Sequence, residues 1–246
     1  LSGLDTLTAT DGAYVLSLAG SDATDVAGNG LTGTTEESWT MDGTPITVSV
    51  TPVAPDPRNA AVDAVTIVFS EAAVNVDLTD FALTRDGGTN LLTGAESLVS
   101  ADDITWTLSG LTGLTGASGD YAFSVLTSDI EDTAGNALTA GTTETWAMDT
   151  VSPTVVIGPV TPDPINTAVT QLDIIFSEPM TGFDISDFDL TLDGSANLLP
   201  GNAALTTSDN MTWTLSGLDT LTATDGAYVL SLAGSDATDV AGNGLT

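Results

Sequence analysis

The chain has 246 residues, of which 34 are acidic and only two are basic, so its formal net charge is −32 at neutral pH. Phosphate binding requires clustered lysine and arginine, so this composition excludes nucleic acid as a partner and anionic membrane surfaces as a docking site. Lysine, histidine and cysteine are absent, which removes most nucleophile and base arrangements, and we expect no enzymatic activity. No run of about 18 apolar residues occurs, so we expect no membrane insertion.

The chain repeats itself at a fixed period. Residues 215–246 are identical, letter for letter, to residues 1–32, and residues 108–139 are a looser copy of the same segment. The identical copies are offset by 214 residues, twice the 107-residue offset of the looser copy. A repeat of this length has the size of one compact domain and is too long for a solenoid unit. The sequence therefore predicts a tandem array of domains, which favours a spacer, stalk or filament.

Domain boundaries are expected after the Met-Asp pairs at 41–42 and 148–149, where small residues and proline follow. This division predicts the C-terminal part of one domain (residues 1–43), a complete domain (44–150) and a domain that lacks its last strand (151–246). The strand that the third segment lacks would correspond to residues 34–41. A domain without that strand exposes a sheet edge that another chain could fill.

The complete domain is predicted to be all β, with seven short strands between frequent turn residues. The strands are expected near residues 46–51, 64–70, 80–85, 95–99, 104–109, 121–127 and 143–148. Val65, Ile67 and Phe69 alternate with polar residues and would share one buried face. Tyr121 follows a glycine at the start of the sixth strand, where a tyrosine corner would lie. Seven such strands predict an immunoglobulin-like β-sandwich of about 107 residues, repeated as an extended array.

Four motifs and a linker carry a resemblance to a known family. They are FSEP (176–179), DISDF (184–188), TWTLSGL (212–218), DVAGN (239–243) and the W-x-M-D linker at 146–149. Together they resemble the bacterial Ig-like tandem repeats of large secreted adhesins and surface proteins. The resemblance covers the whole chain, although the complete domain has Ala72 where the later copy has Pro179. It implies an extracellular, cell-surface spacer, whose joints in this family are often rigidified by calcium.

The acidic residues have three open explanations: solubility, adaptation to high salt, and binding of divalent cations. In an Ig-like sandwich, the loops after the second, fourth and sixth strands meet at the pole where the first strand enters. Carboxylates concentrate in these loops and in the preceding linker, and they would repel one another unless neutralised. The candidate Ca²⁺ ligands in the complete domain are Asp42, Glu71, Asp77, Asp80, Asp102, Asp129, Asp132 and Asn136. The corresponding set in the next domain is Asp149, Glu178, Asp184, Asp187, Asp209, Asp236, Asp239 and Asn243.

A purely structural role for these residues stays open beside calcium binding, because Asp and Gly-Asn pairs also form turns without any ion. The expected function is that of a structural repeat in a secreted adhesin or extracellular fibre. The alternatives are a carbohydrate- or cell-surface-binding module, and a filament subunit completed by strand donation between chains. Neighbouring repeats of the same chain are the expected partners, with other copies in a fibre as a further possibility.

Overall fold

The protein is described by a computed structural model that covers residues 2–18, 22, 24–127, 129–199, 201, 203–232 and 236–245. It begins with an antiparallel hairpin, β1 (Gly12–Leu18) and β2 (Thr35–Met41), paired so that Tyr14 lies opposite Trp39. No core cluster in the described part of the chain includes this hairpin, and Val15, Leu16 and Leu18 are exposed.

The second segment forms a two-sheet β-sandwich. Its strands are β3 (Val48–Val50), β4 (Ala64–Phe69), β5 (Ala73–Val74), β6 (Phe81–Arg85), β7 (Ser97–Ser100), β8 (Thr105–Ser109), β9 (Gly119–Val125), β10 (Glu131–Asp132) and β11 (Thr142–Met148). One sheet has the order β3-β4-β8-β7 and the other β11-β9-β6, while β5 pairs with β10. The seven longer strands thus have the ABED and CFG order of an immunoglobulin-like fold. The predicted all-β Ig-like sandwich is confirmed.

Alternation along the strands builds the core between the two sheets. Val65, Ile67 and Phe69 of β4 face Phe123 and Val125 of β9, and all five are at most 2% exposed. Their buried apolar surface is the main stabilising contribution of the sandwich. The remaining positions of β4 are only partly buried or exposed, as a strand with one face on the core requires.

Tyr121 forms the predicted tyrosine corner, because its hydroxyl donates hydrogen bonds to the carbonyl oxygens of Ala117 (2.9 Å) and Leu114 (3.3 Å). Its ring stacks on Trp146 with the centroids 5.4 Å apart. The strand that carries Tyr121 begins at Gly119 and ends at Val125, two residues earlier at each end than the sequence predicts. The short β5–β10 pair was not anticipated.

The third segment repeats this plan. Its strands are β12 (Val155–Ile157), β13 (Gln171–Phe176), β14 (Met180–Thr181), β15 (Phe188–Leu192), β16 (Ala204–Thr207), β17 (Thr212–Ser216), β18 (Tyr228–Leu232) and β19 (Thr238–Asp239). One sheet has the order β12-β13-β17-β16, and β15 pairs with β18 in the other. We call the two units the first sandwich (β3–β11) and the second sandwich (β12–β19). Each has a hydrophobic cluster of its own, and the boundary residues given above stay a prediction.

Candidate metal centre

Three carboxylates meet at the pole where the chain enters the first sandwich. Asp42 lies in the linker after β2, Glu71 follows β4, and Asp132 belongs to β10. One carboxylate oxygen of each lies within 4.8 Å of the other two. Asp132 is 1% exposed, whereas the other two are half-buried. We call these three residues the first acidic triad.

The loop at residues 132–136 holds the buried member of the triad in place. One carboxylate oxygen of Asp132 accepts from the backbone N–H groups of Ala134 (2.7 Å) and Asn136 (2.9 Å). The other oxygen accepts from the side-chain amide of Asn136 at 2.9 Å. The same amide also donates to the backbone oxygen of Asp42 at 3.1 Å. Asn136 thereby ties the linker to the loop that carries Asp132.

A second acidic triad has the same construction 107 residues later. Asp149 lies in the linker after β11, Glu178 follows β13, and Asp239 ends β19, with one oxygen of each within 4.8 Å of the others. Asp239 accepts from the backbone N–H groups of Gly242 (2.7 Å) and Asn243 (2.8 Å). The side-chain amide of Asn243 donates to Asp239 at 2.8 Å and to the backbone oxygen of Asp149 at 3.0 Å.

The glutamate of each triad lies in an unfavourable electrostatic position. Burial, together with the charges of Asp42 and Asp132, raises the pKa of Glu71 above its usual value. Burial and the neighbouring Asp239 and Asp149 likewise raise the pKa of Glu178. Each glutamate therefore resists ionisation unless a cation is close, since like charges in close proximity favour the protonated form.

The pKa of Asp132 is shifted in the opposite direction, although burial disfavours its charged form. The hydrogen bonds from Asn136, Ala134 and Gly135 outweigh burial and hold the pKa of Asp132 below its usual value. The carboxylate of Asp132 consequently stays ionised where Glu71 is driven towards the neutral form. The repulsion within each triad is therefore relieved when the triad binds either one proton or one cation.

Without calcium, this arrangement predicts that the melting temperature falls as the pH rises above the ordinary glutamate pKa of 4.5. A glutamate whose folded-state pKa is raised destabilises the fold once ionised, so the loss begins near the ordinary value of 4.5 and is complete above the raised value. In EDTA, the double variant Glu71→Gln, Glu178→Gln should show a shallower fall than the wild type by circular dichroism. Equal slopes in the two proteins would show that the triads do not carry the effect.

Six of the other predicted aspartate ligands have local structural partners. Asp77 and Asp80 form a capping box around the 3₁₀ turn Leu78–Asp80, and Asp184 and Asp187 do so around Ile185–Asp187. The carboxylate of Asp102 accepts from the N–H groups of Ile104 and Thr105 in the β7–β8 turn, and Asp209 has the same role between β16 and β17. Asp129 and Asp236 are exposed. Within the described residues, the two triads therefore contain six of the sixteen candidates, and Asn136 and Asn243 lie beside them.

Two further contacts at the joints, where a linker or a loop meets the next unit, were not predicted from the sequence. Asp11, near β1, accepts from the backbone N–H of Gly43 at 2.7 Å and so holds the first linker. Asn59, in the loop after β3, lies against Gly242 of the second sandwich, where an added Cβ would be 3.3 Å from its amide nitrogen. No motif distinguishes Asp11 or Asn59, because their partners are distant in sequence.

The donor set of each triad suits a hard divalent cation. Calcium takes six to eight oxygen ligands in flexible geometry, and three convergent carboxylates can supply a large part of such a shell. Soft metals are disfavoured, because the chain contains neither cysteine nor histidine. A cation bound to all three carboxylates would connect the linker aspartate directly to the sandwich that follows it.

No protein-family model matches the chain, and no curated protein matches it. Among solved structures, native alpha-2-macroglobulin from Escherichia coli (domains MG0-NIE-MG1) has a TM-score of 0.31 and 15% identity, over 78% of this chain and 67% of that one. The titin I-band fragment I67–I69 has a TM-score of 0.28 and 12% identity, over 96% and 72%. The eight N-terminal Ig domains of Down Syndrome Cell Adhesion Molecule give 0.26 and 12%, over 96% and 26%. Similarities this low carry no argument, so the fold rests on the strand order described above.

The described part of the chain contains no helix that is both long enough and apolar enough to cross a membrane.

Proposed function

We propose that this chain is a segment of a non-enzymatic spacer, built from tandem Ig-like sandwiches, in a secreted bacterial adhesin or extracellular fibre. The observation that carries the proposal is the recurrence of one joint. The contact of Asn136 with Asp42 and the contact of Asn243 with Asp149 are equivalent and have nearly equal lengths, 3.1 and 3.0 Å. A repeated joint between repeated sandwiches sets the reach and direction of an array, which is the task of a spacer.

Calcium is the proposed stiffening element of each joint. In a triad without a cation, three carboxylates crowd together and the glutamate is driven to bind a proton. A calcium ion removes this repulsion and holds linker and sandwich in one orientation. The large negative charge of the chain serves solubility in the same setting, and it attracts divalent cations towards the joints.

Thermal unfolding tests this proposal in EDTA, in millimolar CaCl₂ and in NaCl of matched and molar strength. Extracellular calcium modules bind with Kd values of about 0.1–1 mM, so about 10 mM CaCl₂ exceeds Kd roughly 10- to 100-fold and stabilises the native state by about 1.4–2.7 kcal/mol. For a sandwich of this size, that gain corresponds to a rise in melting temperature of roughly 5–20 °C. If the melting temperature rose only in molar NaCl, salt would be screening the repulsion between surface carboxylates. That result would contradict stabilisation of the joints by calcium.

Matched variants distinguish calcium binding by the triads from an effect of the total negative charge. Glu71→Gln and Glu178→Gln each remove one triad carboxylate at nearly constant shape, so each should remove the calcium response of one sandwich. Asp129→Asn removes an exposed charge from the loop that leads into β10, outside the triad. This third variant should keep the full response, and an equal loss in all three would show that calcium acts only on total charge.

A further inference from the structure

The two joints differ at the residue that follows the asparagine fastening each linker. Asn136 is followed by Ala137, whereas Asn243 is followed by Gly244. The first copy of the loop also has glycine, at Asn29–Gly30. The three copies therefore read glycine, alanine and glycine in chain order. Asparagine followed by glycine is the pair in which spontaneous deamidation is fastest, because glycine has no Cβ to shield its own backbone nitrogen.

The reaction needs only these two residues and water. The backbone nitrogen of Gly244 attacks Cγ of Asn243, a new C–N bond forms, and the side-chain nitrogen leaves as ammonia with the hydrogen of the Gly244 N–H. Water then opens the succinimide ring at one of its two carbonyls and returns a hydrogen to the ring nitrogen. The product at position 243 is aspartate or, where the ring opens at the main-chain carbonyl, isoaspartate. One water is consumed and one ammonia is released.

The backbone nitrogen of Gly244 is open to this reaction in the structure. Its N–H donates no hydrogen bond within the described residues. Gly244 is exposed, and a Cβ added there would meet no atom within 4 Å. The attacking nitrogen therefore has no hydrogen bond to break, and the space around Gly244 admits the succinimide ring.

The side chain of Asn243, in contrast, is held while the second joint is closed, that is, while the linker after β11 contacts the second sandwich. Its amide donates to Asp239 at 2.8 Å and to the backbone oxygen of Asp149 at 3.0 Å, so both amide hydrogens are in use. Attack on Cγ requires the amide to leave both acceptors. The rate of deamidation should therefore be proportional to the fraction of molecules in which this joint is open.

Deamidation removes the contacts that close the second joint. Aspartate at position 243 has no amide hydrogen, and its carboxylate would face two acceptors, the carboxylate of Asp239 and the carbonyl of Asp149. Two hydrogen bonds are lost, and a repulsion between like charges is added. Isoaspartate also lengthens the main chain by one carbon atom. Neither product can fasten the linker as Asn243 does.

From these observations we propose that Asn243–Gly244 is a site of spontaneous deamidation that unfastens the second joint irreversibly, whereas Asn136–Ala137 keeps the first joint closed. An array with this alternation contains durable and time-limited joints in turn. Calcium slows the reaction because it holds the joint closed, and this part of the inference rests on the calcium joint proposed above.

Mass spectrometry of the whole chain, incubated at physiological temperature and mildly alkaline pH, tests the site. Cleavage at glutamate places Asn29, Asn136 and Asn243 in different fragments. In EDTA, Asn243 should deamidate and give isoaspartate while Asn136 stays intact. Gly244→Ala should lower the rate at Asn243 to that of Asn136, and Ala137→Gly should start the reaction at Asn136. Equal rates at Asn136 and Asn243 in the wild type would overturn the proposal.

A calcium arm distinguishes the deamidation site from the calcium joint. About 10 mM CaCl₂ exceeds the expected Kd roughly 10- to 100-fold, so it should lower the open fraction, and with it the rate at Asn243, by the same factor. The amide of Asn29 contacts Asp25 alone within the described residues, and Asp25 belongs to neither triad, so the rate at Asn29 should not change. Equally fast reaction at Asn243 with and without calcium would support the deamidation site and contradict calcium binding at this joint. An intact Asn243 in EDTA, beside a reacting Asn29, would overturn the site and leave calcium binding unaffected.

Spin labels show whether the modified joint opens. The wild-type chain contains no cysteine, so Val99→Cys and Val156→Cys place one label at an exposed strand position of each sandwich. In this background and in EDTA, Asn243→Asp should broaden the distribution of distances between the labels. Gly244→Ala keeps the amide and should leave the distribution narrow. An unchanged distribution in Asn243→Asp would overturn the unfastening of the joint.

Discussion

Replacing Trp146 with alanine is expected to lower the free energy of unfolding of the first sandwich by about 3–5 kcal/mol. Trp146 is the largest fully buried side chain among the described residues, and its ring stacks on that of Tyr121 with the centroids 5.4 Å apart. Alanine removes that contact and leaves a cavity beside Tyr121 in the core of the first sandwich. Urea unfolding followed by far-ultraviolet circular dichroism measures the loss without relying on the deleted fluorophore.

Two further substitutions show whether burial is the cause. The indole nitrogen of Trp146 is buried and has no hydrogen-bond partner within the described residues. Trp146→Phe therefore removes an unsatisfied donor and a smaller volume, and it should cost less than alanine. Trp39→Ala removes the half-buried counterpart on β2 and should change the free energy of unfolding of the first sandwich by less than about 0.5 kcal/mol. Equal losses at positions 39 and 146 would contradict the packing described here.

Asp239→Ala is expected to destabilise the second sandwich by on the order of 3 kcal/mol. The carboxylate is 2% exposed and accepts from two backbone N–H groups and the amide of Asn243. Alanine leaves these donors without their acceptor and releases Asn243 from Asp149. The same change removes a triad oxygen, so the calcium-dependent rise in melting temperature should also disappear from the second transition.

The first copy of the same loop provides a matched control. The carboxylate of Asp25 likewise accepts three hydrogen bonds within its loop, from the backbone N–H groups of Ala27 and Asn29 and from the side-chain amide of Asn29, but it is exposed and belongs to neither triad. Asp25→Ala should leave both sandwich transitions and their calcium response unchanged. A comparable loss from Asp25→Ala would mean that the loop, rather than its place at a joint, determines the effect.

Much of the fold could be predicted from the sequence, because periodicity depends on spacing alone. The 107-residue repeat and the alternation of Val65, Ile67 and Phe69 indicated sandwiches, and Tyr121 indicated its own hydrogen-bonded corner. Strand ends were less accurate, since they depend on local partners. The strand predicted near residues 80–85 is β6, and it starts at Phe81 because Asp77 and Asp80 close a 3₁₀ turn before it.

The candidate site could be predicted only as a region. The sequence placed sixteen residues at the poles, but a carboxylate that caps a turn and one that faces two others look alike in sequence. Asp102 binds backbone N–H groups three residues or fewer away, whereas Asp132 also faces Glu71 and Asp42 across the loops. A D-x-x-D spacing before a strand is the signal that could have identified Asp77 and Asp80 as a capping box.

Calcium binding at equilibrium, measured by dialysis or calorimetry in physiological NaCl, tests the joint most directly. We expect two saturable sites in the wild-type chain, one in Glu71→Gln, one in Glu178→Gln and none in the double variant, with Kd values of about 0.1–1 mM. Each loss should coincide with the loss of one calcium-stabilised transition. Non-saturable binding in the wild type, or two sites surviving in the double variant, would contradict calcium as the element that stiffens the joints.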